Sequence, residues 1–507
     1  MVIDKALLIW VPSRRGKGAG KCFPVGLLYV GRTLEDLGVK TSIYDVYQHA
    51  FGRASGDELC RDRILDLIAR DKPQIVGFGG IATSYGWTKA LSLAIEETHP
   101  DVLQIAGGAL CSTDNLLLTQ TAMDVVFHGE SEVTLPAFID RLRNDTAWDD
   151  LAGISHRCDG EVVRNPAAEQ IADLDEIPYP AYHLVDMEEY FPNDESFAEK
   201  FLAHYRGDLV HQGIYDTIAR KIDGVKSLFP LVTARGCTHK CSFCYRHMNR
   251  YRRHSIGYVI GHLKYVIEKF GVRGVGFYDE LFNGDMRWVF DFCAAMREND
   301  ITIAYKTSAR ADKVSKELLT EMSQTGCFNL EFGHESGSDK ILKEYRKGIT
   351  RRQNIDTTLL ARGCGIYTAV QLVIGSPGET RETIDQTVDF LKEVNARSCS
   401  INYLLPFPGA PIWKYVEENN LIEDHEDYLD RVAVRGGGPM VNLTQVGDAE
   451  WRSWGDYILY KLQKRCTLAE RDFLGFVKTC GKYYLKKILP RGLQVRLRKL
   501  FRRHAGE

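Results

Sequence analysis

Through residues 1–145, short apolar runs alternate with longer stretches in which apolar residues recur every three or four positions. The runs lie at 6–11, 41–44, 74–78, 102–106 and 125–127, and the helical periodicity is clearest at 84–97 and 132–142. Strands alternating with helices predict a doubly wound, Rossmann-like parallel sheet. Gly79-Gly80 follows the third run, Gly107-Gly108 the fourth and Gly129-Glu130 the fifth. Ligands of such sheets lie beyond the carboxyl ends of the strands, where glycine admits close backbone approach. Taken singly, each Gly-Gly is also ordinary turn chemistry. No G-x-G-x-x-G follows the first run, so a dinucleotide fingerprint is absent.

Residues 146–228 read as a connector. A hairpin is expected within 153–165 around Asp159-Gly160, Ile177-Pro178-Tyr179-Pro180 is not helical, and 187–226 has only weak periodicity. From 229 to 415 the alternation resumes. Runs at 228–232, 274–278, 302–305, 329–333, 368–374 and 398–404 give six strand–helix units. Six units predict a full or partial α/β barrel, with its chemistry at the carboxyl ends of the strands. Asp279-Glu280, Glu335 and the glycines Gly375 and Gly378 all fall at that end. Residues 416–507 form a helical extension. The fold class is therefore α/β: a parallel-sheet domain, a barrel and a helical C-terminal segment.

Composition changes this picture little. The chain has 507 residues, 44% hydrophobic and 26% charged, with a net charge of −3. Those values are ordinary for a globular protein of about three domains, and no global field points to nucleic acid. No apolar run approaches the ~18 residues of a membrane span. The chain shows no secretory signal pattern, so a reducing cytoplasm is the expected compartment. Charge is uneven, however. Residues 481–507 hold nine Lys or Arg against one acid, interleaved with apolar residues. Such a tail suits peripheral contact with an anionic membrane, or equally a solvated terminal helix.

The sharpest chemical signal is Gly236-Cys237-Thr238-His239-Lys240-Cys241-Ser242-Phe243-Cys244, directly after the first strand of the barrel. Three thiolates on one tight loop suit an iron–sulfur cluster, and three ligands on a four-iron cluster leave one iron open. Structural zinc takes four ligands, so it needs His239 or a distant residue as well. Thirteen cysteines scattered through apolar segments do not read as a disulfide framework.

The C-x3-C-x2-C spacing, with an aromatic before the third Cys, resembles the radical SAM superfamily. Phe277-Tyr278-Asp279-Glu280-Leu281-Phe282, the segment from Phe332 through Glu335-Ser336-Gly337, the segment Ile374-Gly375-Ser376-Pro377-Gly378-Glu379 and Pro406-Phe407-Pro408-Gly409 look like its recurrent barrel segments. The N-terminal sheet resembles the cobalamin-binding domain that precedes the barrel in one large class, which includes methylases and magnesium-protoporphyrin ester cyclases. The resemblance implies that Cys237, Cys241 and Cys244 hold a [4Fe-4S] cluster whose open iron binds S-adenosylmethionine. It implies Arg310 on the methionine carboxylate, Glu335 and Ser336 at the ribose, Tyr245 near the adenine, and Gly375, Pro377 and Gly378 along the adenosyl group. The other reading of Arg310 and Glu335 is an ion pair at the barrel rim. Cobalamin would meet Gly79, Thr83, Ser84, Gly107, Gly108, Gly129 and Glu130.

The implied chemistry starts with one electron from the cluster, which splits the sulfonium and yields a 5′-deoxyadenosyl radical. That radical takes hydrogen from an unactivated carbon, and in the methylases methylcobalamin then supplies a methyl group. A reducing partner such as flavodoxin or ferredoxin is implied too. The first strand is followed by 12–18, which lacks the D-x-H-x-x-G of histidine-ligated cobalamin domains; Asp45 and His49 are four apart after the second strand. The expected function is methylation of a carbon of a small metabolite, natural-product precursor or lipid, with radical cyclisation or rearrangement as the alternative and a non-catalytic iron–sulfur or zinc protein as a third reading. Residues 186–228 and 416–507 lie outside the shared pattern and are the expected specificity elements. Trp413, Tyr415, Trp451, Trp454, Tyr457 and Tyr460 line a hydrophobic substrate pocket or pack helices.

Overall fold

The structure is a computed structural model that describes residues 2–13, 22–50, 56–191, 196–435 and 438–469, with a few more up to 483. Nearly all of the basic tail, and most of the loop after the first strand, lie outside the described residues. Two parallel sheets organise the chain. The first contains β1 (Lys5–Trp10), β2 (Lys40–Asp45), β3 (Ile75–Gly79), β4 (Leu103–Gly107) and β5 (Val125–Phe127), all parallel. The expected hairpin adds β6 (Ile154–Cys158) and β7 (Glu161–Arg164) antiparallel at its edge. Asp159 and Gly160 take positive φ, +51° and +84°, as a tight hairpin turn requires.

The strand order is 2-1-3-4-5-6-7. The winding direction reverses between β1 and β3, which opens a crevice there at the carboxyl ends. Leu27 and Leu34 of the helix Val25–Asp36 and Leu135, Phe138 and Ile139 of the helix Ser131–Arg143 cover one face. The helix Tyr85–Thr98 covers the other, joined by Tyr428, Leu429 and Val432 from the C-terminal helix His425–Arg435.

The second sheet holds β8 (Phe229–Leu231), β11 (Gly274–Phe277), β12 (Ala304–Ala309), β13 (Cys327–Glu335), β14 (Val370–Ile374) and β15 (Cys399–Tyr403) in sequential order. A short antiparallel pair, β9 (Ala234–Arg235) and β10 (Arg252–Arg253), carries the cysteine loop. Among the described residues β8 and β15 do not pair, so the barrel is partial. Sequential order with right-handed crossovers puts every helix on one side and leaves the inner face open. The strand expected at 302–305 runs instead over Ala304–Ala309. Its half-buried positions Lys306 and Ser308 are polar and cut the apolar signal short.

The connector seals the closed end of this half barrel. Phe201 and Leu209 of the helix Phe197–His211 pack on Phe328 and Tyr367 at the starts of strands. Buried Asp208 accepts from the Arg397 N–H at 3.0 Å and from the Tyr367 hydroxyl at 3.3 Å. Trp451 and Trp454 of the C-terminal helix Asp448–Ala469 are buried against β14, with Tyr457 beside them. Among the described residues no helix is long and apolar enough to cross a membrane.

Candidate active site

The cysteine loop leaves β9 and returns through β10. Gly236 makes the turn possible: its φ is +82° and a Cβ there would stand 2.1 Å from the Arg250 carbonyl oxygen. Asp279 at the end of β11, itself buried, accepts the Thr233 and Ala234 N–H groups at 2.6 and 3.1 Å and fixes the approach to the loop. Cys241 is buried, Cys237 half-buried and Cys244 accessible, and all three thiols are free.

The electrostatics favour a thiolate at Cys241. The hydrogen bond from Cys244 lowers the pKa of the Cys241 thiol; burial opposes this, and the cations Lys347 and Arg310 assist it. Cys244 is raised because it donates its proton to the same bond. His239, the alternative zinc ligand, lies with Nδ1 2.8 Å from the Thr238 hydroxyl, and burial lowers its pKa. Among the described residues no three His, Cys, Asp or Glu side chains converge on the position of a single metal ion. Three thiols on one loop beside buried Arg310 and half-buried Lys347 are a donor set suited to an anionic cluster with one thiolate per iron.

Arg310 and Glu335 do lie at this rim, but not as partners of each other. Arg310 donates through Nε and Nη2 to Asp312 at 2.8 and 3.1 Å, and through Nη2 to the Lys347 carbonyl at 2.8 Å. Lys347 Nζ donates to Glu335 Oε1 at 2.8 Å. Lys347 therefore joins the two, and the sequence reading missed it; its only signal was a lysine against Gly348 between two helices. Glu335 sits at φ +59°, a left-handed conformation that is costly for a non-glycine residue and concentrates at ligand sites. Ser336 is buried; its hydroxyl accepts from the Ser338 N–H at 3.1 Å and lies 3.3 Å from Thr387, so it closes a turn.

Gly375 (φ +100°), Pro377 and Gly378 form a loop after β14, tied by the Glu379 carboxylate, which accepts from the Gly375 N–H. Tyr345 links that loop to the cysteines: its hydroxyl donates to the Val373 carbonyl at 3.1 Å, and its carbonyl accepts from the Ser242 N–H at 2.9 Å. Tyr245, expected near the adenine, reaches towards the first sheet's half. Its hydroxyl lies 3.1 Å from Cys111 Sγ in the turn after β4, and its ring packs on Gly409, where a Cβ would stand 2.7 Å from it.

Beyond the carboxyl ends of both sheets lies one cavity of about 690 Å³. Gly79, Gly80, Gly107, Gly108 and Gly129 form its wall on the first sheet, and Val232, Ala234, Arg235, Gly236 and Tyr278 face them from the second. Phe23, Tyr190 and Phe191 close one side. A Cβ on Gly107 would meet nothing nearer than 3.7 Å, so the space above that glycine is free for a ligand. The glycine floor and apolar walls fit a flat, bulky ring system such as a corrin. Glu280, beside Tyr278, also faces this cavity, and burial raises its pKa. Asp45 is buried at about 6, raised by desolvation, and takes the Tyr190 hydroxyl.

Three residues expected at cobalamin do not line this cavity. Thr83 and Ser84 do not reach the cavity: Ser84 is buried and its hydroxyl ties the turn after β3 to the Val11 carbonyl at 3.2 Å. Glu130 is not in the wall either. Its carboxylate turns inward to Arg235 and Arg252 at 2.9 and 2.7 Å, and these cations hold its pKa low against burial. Trp451, Trp454, Tyr457 and Tyr460 are helix packing and stay off the cavity; Trp413 lines a second, polar cavity of about 530 Å³ beside Tyr245.

Two family models match the chain: the radical SAM superfamily over residues 231–391 and the B12 binding domain over 14–139. An uncharacterised methyltransferase of Pyrococcus horikoshii is 26% identical over 371 residues, 72% of this chain and 74% of that one. The cytidylyl-2-hydroxyethylphosphonate methyltransferase of Streptomyces wedmorensis is 25% identical over 470 residues, 84% and 83% of the two chains. An anaerobic magnesium-protoporphyrin IX monomethyl ester cyclase of Rubrivivax gelatinosus is 24% identical, over 75% and 64%. Among solved structures, the radical S-adenosylmethionine methyltransferase TsrM of Kitasatospora setae aligns with a TM-score of 0.63 at 17% identity, covering 82% and 76% of the chains, and establishes the shared fold.

Proposed function

We propose, from the premise that the chain belongs to the radical SAM superfamily and carries a B12-binding domain ahead of its barrel, that it is a cobalamin-dependent methyltransferase acting on a carbon of a small molecule. One observation carries the reading. A cavity of about 690 Å³ is shared by the glycine-rich carboxyl end of the first sheet and, on the barrel side, by Val232, Ala234, Arg235 and Gly236, which lead into the cysteine loop. A corrin resting on the first and a substrate at the second would face each other across it.

Cys237, Cys241 and Cys244 would hold the cluster. When bound, the cluster and S-adenosylmethionine supply a 5′-deoxyadenosyl radical, and cobalamin supplies a transferable methyl group. This chain's residues then bind, orient and exclude water. Lys347 and Arg310 keep positive charge beside the thiolates and the methionine carboxylate. Glu335 accepts from the ribose, held in place by Lys347. The loop of Gly375, Pro377 and Gly378 gives backbone contact to the adenosyl group. Gly79, Gly107, Gly108 and Gly129 bear the corrin. Phe23, Tyr190 and Phe191 keep water from the cavity, which a carbon radical requires. Electrons come from a small reducing protein. Residues 481–507 make the peripheral membrane contact; liposome flotation of the chain with and without them tests it, and equal flotation would remove that role.

Anaerobic turnover with S-adenosylmethionine, a reductant, methylcobalamin and candidate substrates tests the whole reading. Methyl transfer yields S-adenosylhomocysteine and 5′-deoxyadenosine together. Stoichiometric 5′-deoxyadenosine without S-adenosylhomocysteine places the chain with the cyclases, and no cleavage at all refutes both.

A further inference from the structure

The seam between the two sheets carries an ion network. Glu130 follows Gly129 of the cavity wall, and its side chain is wholly inaccessible. Its Oε1 accepts from Arg235 Nη1 at 2.9 Å; its Oε2 accepts from Arg252 Nη1 at 2.7 Å and from the Ile171 N–H at 2.9 Å. Arg235 Nη2 donates to Glu132 Oε1 at 2.6 Å, and the guanidinium lies 5.2 Å from the Tyr29 ring centre. Both acids belong to the first sheet's half. Both bases belong to the β9–β10 pair, where Arg235 and Arg252 are opposite each other and Arg235 is two residues before Cys237.

Buried charge of this kind is a poor source of stability, because desolvation offsets most of the attraction. Its attested use is to fix register. Apolar surfaces slide over one another at little cost, whereas a guanidinium forked onto carboxylates fixes distance and angle together. The network sits where registry matters: Glu132 and Arg235 both line the cavity, from opposite walls.

We propose that Arg235, Arg252, Glu130 and Glu132 are positioning residues that set the separation between the cysteine loop and the carboxyl end of the first sheet. The proposal rests on the function given above, for there the separation is that between cluster and corrin. Reacting groups must approach within about 3–3.5 Å, and a misplacement of about 1 Å can cost about 100-fold in rate.

The test uses the full chain and the shape-preserving variants Glu130→Gln and Glu132→Gln. In cofactor-free protein, hydrogen exchange reads the seam alone. Amides of residues 232–237, across the seam from the mutation, should exchange about tenfold faster in Glu130→Gln. After reconstitution with iron, sulfide and hydroxocobalamin, paramagnetic resonance reads the separation. The reduced cluster speeds relaxation of the cobalt(II) spin, and that enhancement should change by about twofold or more in variants that retain both groups at wild-type stoichiometry. Unchanged exchange and unchanged relaxation would overturn the proposal. If Glu130→Gln does not fold, both measurements are made on Glu132→Gln, where faster exchange and altered relaxation support the proposal and unchanged values overturn it. Wild-type protein that takes up no cobalamin would remove the functional reading instead, and hydrogen exchange still decides the clamp.

Discussion

Replacing Glu379 by glutamine isolates one buried proton at the loop after β14. The carboxyl is fully buried; it accepts from the Gly375 N–H, and its Oε1 has no hydrogen-bond partner. Burial raises its pKa from 4.5 to about 8, although the backbone N–H groups of Gly375 and Ser376 pull it down. The folded chain therefore keeps a proton that the unfolded chain releases near pH 4.5. Stability from this group is full below that pH and falls as pH rises, at about 1.4 kcal/mol per unit, until the folded carboxyl ionises near 8. The whole shift corresponds to about 5 kcal/mol. Glutamine keeps the shape and the acceptor but has no proton to lose. In urea denaturation of cofactor-free protein at pH 5, 6.5 and 8.5, the variant should gain on the wild type steadily, by several kcal/mol in total. Parallel stability curves across this range would refute the reasoning, because they would mean Glu379 is ionised and satisfied in the folded chain.

Cys241→Ala should abolish S-adenosylmethionine cleavage while circular dichroism shows the fold retained; residual cleavage would mean the loop does not hold the cluster. Gly107→Leu should fold normally, as its Cβ meets nothing nearer than 3.7 Å, yet weaken cobalamin binding by about tenfold or more in absorbance titrations. Lys347→Met leaves Glu335, whose side chain is 10% exposed, without its cation. It should cost about 3 kcal/mol in urea denaturation and weaken S-adenosylmethionine binding; a loss under about 1 kcal/mol would show the pair to be dispensable.

Strand positions were legible because parallel strands buried on both faces are short apolar runs closed by glycine. All five runs of the first sheet appear as strands, and the three clustered cysteines share one loop between β9 and β10. Where the sequence misled, contact geometry decided. Ser84 and Glu130 have the residue types and positions of ligand contacts, yet both are consumed internally, by the Val11 carbonyl and by two arginines. A one-dimensional pattern cannot show which way a side chain turns after a strand. Lys347 was invisible because its partner Glu335 is twelve residues away, on another element. The helix Phe197–His211 was obscured by polar residues such as Asp208, which is buried as a tether and so breaks the apolar stripe.

The cavity's architecture follows from the two windings taken together. A doubly wound sheet concentrates strand ends at one crevice, and a partial barrel does the same at its mouth. Each end alone is half a wall: the first supplies the glycine floor, the second supplies Val232, Ala234, Arg235 and Gly236, which lead into the cysteine loop. Facing each other, they enclose a volume that neither builds. The interface must then be exact in distance, yet it cannot be closed by apolar packing across the cavity, because a ligand has to occupy that space. Fixing the two halves beside the cavity, through residues of its own rim, meets both demands. Glu132 and Arg235 stand at that rim, and Glu130 and Arg252 anchor them from behind.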